Sequence, residues 1–166
     1  VPVEAVGKVV EVFATAREKD RRIFIIGNGG SAATASHFAT DLGKGASINR
    51  PKRFKILSLT DNLPWITALA NDFAYDQVFE QQLRNYAEPG DVLLAISASG
   101  NSPNIIKAVA AAKEMGLVTV GWSGFEGGKL AGMVDHSIVA REKHYGRIED
   151  VHSILMHIVC YHFMET

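Results

Sequence analysis

Cysteine occurs once in the 166 residues, at Cys160. A disulfide framework and a cysteine-rich metal site are therefore ruled out within the chain, and a single thiol suits a reducing cytoplasm. Neither sign of charge dominates, since 17 lysines and arginines face 18 aspartates and glutamates. Proteins that grip a phosphate backbone carry a basic surface, so no direct nucleic-acid ligand is expected. No apolar run approaches the roughly 20 residues of a membrane span, and Val1-Pro2-Val3-Glu4 has no charged-then-apolar leader pattern. A cytoplasmic protein without a membrane partner is expected; Val1 is not a methionine, which leaves room for residues before it. Internal repeats, linkers and low-complexity stretches are also missing. The 47% apolar and 21% charged composition is that of one ordinary globular domain spanning residues 1–166.

Apolar residues at Val6, Val9, Val10, Phe13 and Ala14 recur at helical spacing and predict an amphipathic helix over 3–19. Short β-branched or apolar runs predict strands over 22–26, 54–59, 91–96, 117–122 and 136–140. Between them, helices are expected over 31–42, 64–70, 76–86, 103–115 and 129–133, and a last, long one over 147–164. Residues 43–51 read as a polar loop, and Asn71-Asp72-Phe73 as an interruption. Trp65 and Trp122 are expected to fill core. Strands that are apolar on both faces and alternate with helices mean a parallel sheet covered on both sides, an α/β class. Ligands in such sheets lie outside the carboxyl ends of the strands.

Two loops fall on that edge. Ser97-Ala98-Ser99-Gly100-Asn101-Ser102 follows the third strand and opens a helix, so hydroxyls, a flexible glycine and helix-start amides point at one place. That combination suits a phosphomonoester held by neutral hydrogen bonds, with no lysine or arginine clamp in the loop. Gly27-Asn28-Gly29-Gly30-Ser31 follows the first strand. It can be forced onto the dinucleotide pattern, but Asp61 stands some ten residues beyond the usual spacing for the ribose acid. A pocket for one phosphorylated sugar accounts for both loops: Ser97, Ala98, Ser99 and Ser102 on the phosphate, and Asn28, Gly29, Gly30 and Ser31 on hydroxyls.

Taken in order, Gly27-Asn28-Gly29-Gly30-Ser31, His37-Phe38-Ala39, Asn71-Asp72-Phe73, Gly90-Asp91-Val92-Leu93-Leu94, Ser97-Ala98-Ser99-Gly100-Asn101-Ser102 and Arg147-Ile148 resemble the sugar isomerase (SIS) family, in its phosphoheptose isomerase branch. The resemblance implies a three-layer α-β-α sandwich on a five-stranded, flavodoxin-like parallel sheet. It implies interconversion of sedoheptulose 7-phosphate and glycero-manno-heptose 7-phosphate for bacterial surface polysaccharide such as lipopolysaccharide. It further implies a homotetramer, a bound zinc or other divalent metal, and sugar contacts from Asn71 and Asp72.

An aldose–ketose interconversion moves a proton between C1 and C2, which requires a base near the carbons and an acid or electrophile near the oxygens. His37 and Asp41 stand at i and i+4 on one helix; Glu149 and His157 are eight apart, near two turns, on the last. Two imidazoles and two carboxylates can hold a divalent ion or serve directly as acid and base. The resemblance assigns His37, Asp41, Glu149 and His157 to the metal, Asp41 and His157 to proton transfer, and Glu149 also to substrate. Two positions depart from that branch, which has glutamate where Asp41 stands and glutamine where Glu149 stands. Glu149 taking over carboxylate function that the shorter Asp41 cannot reach is one expectation. A second class of function is a non-catalytic SIS protein, either a factor that binds the replication initiator DnaA or a sugar-phosphate sensor. The retained His157 and the carboxylate at Asp41 favour the enzyme.

Overall fold

A computed structural model describes residues 1–166. In chain order it contains α1 (Val3–Glu18), β1 (Arg22–Ile26), α2 (Gly30–Thr40), β2 (Lys55–Ser58), α3 (Leu63–Asp72), α4 (Glu80–Tyr86), β3 (Val92–Ser97), α5 (Pro103–Glu114), β4 (Val118–Gly124), α6 (Gly128–Met133), β5 (His136–Ala140) and α7 (Tyr145–Glu165). The strands form one sheet in the order β2-β1-β3-β4-β5, every pair parallel. This is the flavodoxin-like doubly wound order, as expected.

Side chains of a strand alternate between faces, and here both faces are buried. Ile23 and Ile25 point into a core shared with α1, α2 and α7, which includes Phe13, Phe38, Trp122 and Phe163. Phe24 and Ile26 point the other way, into a core with Leu83, Ile105 and Val109 of α4 and α5. β1 and β3 are neighbours, and the helices that follow them, α2 and α5, leave to opposite faces. The crevice between their N-termini is the topological switch point, where ligands of such sheets bind.

Local differences from the sequence reading have physical causes. Asp91 lies outside β3 because its carboxylate accepts N–H bonds from Arg22 and Glu88, both at 2.9 Å, stapling the starts of two strands. β4 runs two residues past Trp122 to Gly124. Residues 43–51 are not simply a loop: α2 continues as a widened π turn over Asp41–Gly45. Ser47 is buried beyond it, donating to the Leu42 carbonyl at 2.7 Å and accepting from Phe54 N–H at 3.0 Å. Asn71 and Asp72 do not interrupt a helix; they finish α3, and a single 3-10 turn over Tyr75–Gln77 precedes α4. Trp122 is core as expected, whereas Trp65 is not. It lies half-buried on α3, edge-on to Tyr86, and α3 has no buried residue at all. No helix is long and apolar enough to cross a membrane.

Candidate active site

A cavity of about 210 Å³ opens at the switch point, lined by Asn28, Ser31, Ser97, Ala98, Ser99, Ser102, Tyr145 and Glu149 over the floor of Ile96. The serine loop is held from within. Ser97 Oγ accepts from Gly100 N–H at 3.2 Å and lies 3.4 Å from Ser102 Oγ, while Ser99 Oγ accepts from Asn101 N–H at 3.2 Å. Gly100 has φ +64, and a Cβ there would lie 2.2 Å from the Gly127 carbonyl oxygen. Only glycine allows the α6 loop to close over the serine loop so tightly. Ser102 stands at the N-cap of α5 without a side-chain cap bond, and its hydroxyl is held only by the long contact to Ser97.

The second loop supplies the opposite wall. Gly29 precedes α2 with φ +55, turning the chain so that α2 begins against the cavity. The Glu149 carboxylate of α7 lies over Gly30, where a Cβ would sit 2.6 Å from its oxygens. A negative side chain at a helix N-terminus is favoured by the helix dipole. Glu149 thus occupies the kind of position that an anionic ligand otherwise seeks, beside the serine loop.

At the other end of α2 three side chains converge. His37 Nε2 and Asp41 Oδ2 approach to 3.3 Å, the His37 and His157 rings meet edge-on with centroids 5.2 Å apart, and the three possible ligand atoms lie within 4.8 Å of one another. His37 and His157 are exposed and Asp41 half-buried. Glu149, expected as a fourth member, is not in this group. Eight residues of helix separate it from His157, about 12 Å along α7. The expectation that Glu149 makes up for the shorter Asp41 therefore finds no contact to act through within one chain.

The remaining expected residues divide likewise. Ser31 is buried at the start of α2 and Ala98 beneath the serines. Asn71 and Asp72 are exposed at the end of α3, hydrogen-bonded to each other at 2.8 Å, and do not line the cavity. Three further residues take part. Tyr145 lines the cavity and packs edge-on to Phe125. Asn104 and Tyr75 both hydrogen-bond Asn28. Their signal in the sequence is faint: an asparagine in the first turn of a helix and a tyrosine after Asn-Asp are ordinary in such places.

Residues 3–124 match the profile of the SIS domain. The chain belongs to the SIS domain family. Among its relatives, the SIS protein of Paramagnetospirillum magneticum named phosphoheptose isomerase is 40% identical over 84% of this chain and 72% of its own length. That of Halorhodospira halophila is 43% identical over 89% of this chain and 75% of its own. The solved phosphoheptose isomerase of Neisseria gonorrhoeae superposes with a TM-score of 0.89 at 34% identity, covering 99% of this chain and 87% of that one. That superposition includes α7, which lies beyond the stretch the SIS profile matches and carries Glu149 and His157.

The donor atoms of the SIS domain's His37 group suit a divalent ion. Bonds of about 2.0–2.1 Å in a tetrahedron place neighbouring ligand atoms roughly 3.3–3.4 Å apart, and His37 Nε2 and Asp41 Oδ2 stand at 3.3 Å. The three donor atoms together lie within 4.8 Å, and two imidazoles with one carboxylate are donor types that would suit catalytic rather than structural zinc. Cys160 lies nearby, but burial, and less so the Asp41 charge, push its thiol well above the ordinary range. It stays a neutral, packed thiol.

Proposed function

We propose that this chain is a phosphoheptose isomerase that interconverts sedoheptulose 7-phosphate and D-glycero-D-manno-heptose 7-phosphate. The observation that carries the reading is that the same two helices, α2 and α7, which flank the switch point, carry both the serine-lined cavity with Asn28 and Glu149 on its wall and, further along, the His37-Asp41-His157 group. The SIS relatives named phosphoheptose isomerase support the same substrate class.

In this reading Ser97, Ser99 and Ser102 bind the phosphate by hydroxyl donation, and the Asn28-Ser31 loop orients the sugar. The Asp41 carboxylate takes a proton from C1 of the ketose while His157 supplies one to the C2 oxygen, which gives an enediol. The Asp41 carboxyl, its proton exchanging with solvent while the enediol is bound, then protonates C2, and His157 takes back a proton from the C1 oxygen, which yields the aldose with no net oxidation. A divalent ion, zinc first among candidates, held by His37, Asp41 and His157 would act as a Lewis acid toward the substrate oxygens.

The cavity is smaller than the roughly 300–1,000 Å³ of typical ligand pockets, and Asn71 and Asp72 stand outside it on a helix with no buried residue. Both features support a site completed between subunits, and we read the assembly as a homotetramer. A cytoplasmic enzyme supplying heptose for surface polysaccharide is the setting this reading implies. The test is incubation of metal-loaded protein with sedoheptulose 7-phosphate in deuterated water. Deuterium on C1 or C2 of recovered sugar is expected; recovered ketose without label and without aldose overturns the reading.

A further inference from the structure

The loops after β1 and β3 are joined across the switch point by a pair of primary amides. Asn28 Nδ2 donates to Asn104 Oδ1 at 2.9 Å, and Asn104 Nδ2 donates back to Asn28 Oδ1 at 2.9 Å. Tyr75, in the turn after α3, donates its hydroxyl to the same Asn28 oxygen at 2.8 Å. Asn104 is 2% exposed, and its oxygen also accepts the Ile105 backbone N–H at 3.0 Å.

A carboxamide has two donor hydrogens and two acceptor lone pairs. The Ile105 N–H also donates to the Ser102 carbonyl at 3.0 Å, but a reversed Asn104 amide would set an amine against that N–H at 3.0 Å, and this fixes which way the amide faces. Asn104 then fixes Asn28, because its oxygen needs the Asn28 amine and its amine needs the Asn28 oxygen. With Tyr75 added, both lone pairs of Asn28 are taken and one N–H remains unclaimed. Asn28 lines the serine cavity; Asn104 and Tyr75 do not.

We propose that Asn104 and Tyr75 are positioning residues that lock the Asn28 carboxamide, so that it offers the sugar phosphate one N–H and no acceptor. Asn28 therefore recognises an oxygen lone pair, on the phosphate, the carbonyl or a hydroxyl, and cannot accept a hydrogen bond from a sugar hydroxyl. The lock spans three segments, one after β1, one at the start of α5 and one beyond α3. This rests on the isomerase reading only for the identity of the ligand.

The experiment has a kinetic arm and a spectroscopic one. Tyr75→Phe and Asn104→Ala are each made in the wild-type chain and in Asn28→Ala. A contact made equally to substrate and transition state changes KM alone, so each single variant is expected to raise KM for sedoheptulose 7-phosphate about 10-fold with kcat within about 2-fold. In the Asn28→Ala background neither should add anything, because both act through Asn28. In the second arm, the side-chain amide signals of Asn28 are followed by NMR in 15N-labelled protein, assigned by their loss in Asn28→Ala. Tyr75→Phe, the milder change, is expected to move them while leaving the backbone spectrum elsewhere in place. Unchanged Asn28 signals, or full kinetic effects persisting in Asn28→Ala, overturn the proposal. If the wild-type chain converts no phosphoheptose, the isomerase reading falls and the amide signals alone still decide the lock.

Discussion

Asp41, one methylene shorter than the glutamate the resemblance implies there, reaches His37 across one ordinary helical turn, and the helix widens into a π turn only from Asp41 onward. Its carboxylate serves both the ligand group and the proposed proton transfer, and the isosteric amide removes the charge and the base while keeping the shape. Asp41→Asn is expected to lower turnover of sedoheptulose 7-phosphate by about 100-fold or more, the usual worth of a general base. Metal per chain should fall in the same variant, measured by elemental analysis after dialysis. The residue types here were readable, and so was the pairing of His37 with Asp41, since i and i+4 meet on any helix. The separation of Glu149 was not. A spacing of eight fixes a side of α7 but not which neighbour each turn meets, and that depends on where α2 crosses.

His152 raises a different question at the same scale. It is 1% exposed, with Nε2 3.2 Å from the Ser123 carbonyl and Nδ1 without a partner. Burial pushes its pKa below the ordinary 6.5, and the Ser123 carbonyl only partly opposes this. Above pH 6.5 the ring is neutral in both folded and unfolded chains. As pH falls through 6.5 the unfolded chain takes up a proton that the folded one refuses, so stability is lost toward acid, by up to about 1.4 kcal/mol per pH unit. Urea midpoints from pH 7.5 to 5.5 should fall more steeply for the wild type than for His152→Gln. Equal slopes would assign the acid sensitivity to other groups.

At the scale of elements, the sheet and its helices were legible almost throughout, because each strand is a short apolar run closed by glycine, proline or a polar turn. The stretch after α2 was not. Residues 43–51 read as a polar loop, yet the packed α7 beside them holds Asp41–Gly45 in a π turn and buries Ala46 and Ser47. Tertiary contact overrode local preference there. Gly30 is the element-level joint most open to test. A Cβ at Gly30 would lie 2.6 Å from the Glu149 carboxylate, so Gly30→Ala must push that carboxylate away from the start of α2. Weakened sugar-phosphate binding is expected at little cost in chemical denaturation, because the obstructing atoms are the far end of a flexible side chain that can swing aside. Adding Glu149→Ala, which removes the carboxylate, should leave the denaturation midpoint near that of Gly30→Ala. A loss of more than about 1 kcal/mol in Gly30→Ala that Glu149→Ala relieves would mean that the carboxylate cannot move away.

Over the whole molecule, the apolar surface is unevenly distributed. Ile154, Ile158 and Tyr161 of α7 are 58%, 49% and 53% exposed, and Val3 of α1 is 80% exposed. Val1, Val3, Val6, Val151, Ile154, Leu155 and Ile158 line a cleft of about 280 Å³ without a single polar residue. A wide apolar face on the longest helix could be foreseen from the sequence, but not that α1 would extend it, since that depends on how the two helices lie together over the sheet. His157 is next to Ile158 and is itself exposed, so the ligand group lies at the border of this face. A second copy seated on α1 and α7 would cover the apolar cleft and close the solvent side of His157 together. Ile158→Lys places a charge at that junction, where burial without a partner is costly. Light scattering coupled to size exclusion is expected to show a smaller species than the wild type, with far-UV circular dichroism unchanged. Turnover should fall with the fraction dissociated and rise again with protein concentration, because the residues of the site itself are intact. An Ile158→Lys chain that stays assembled and fully active would mean that copies of the chain meet through another face, and that the His37 group works open to solvent.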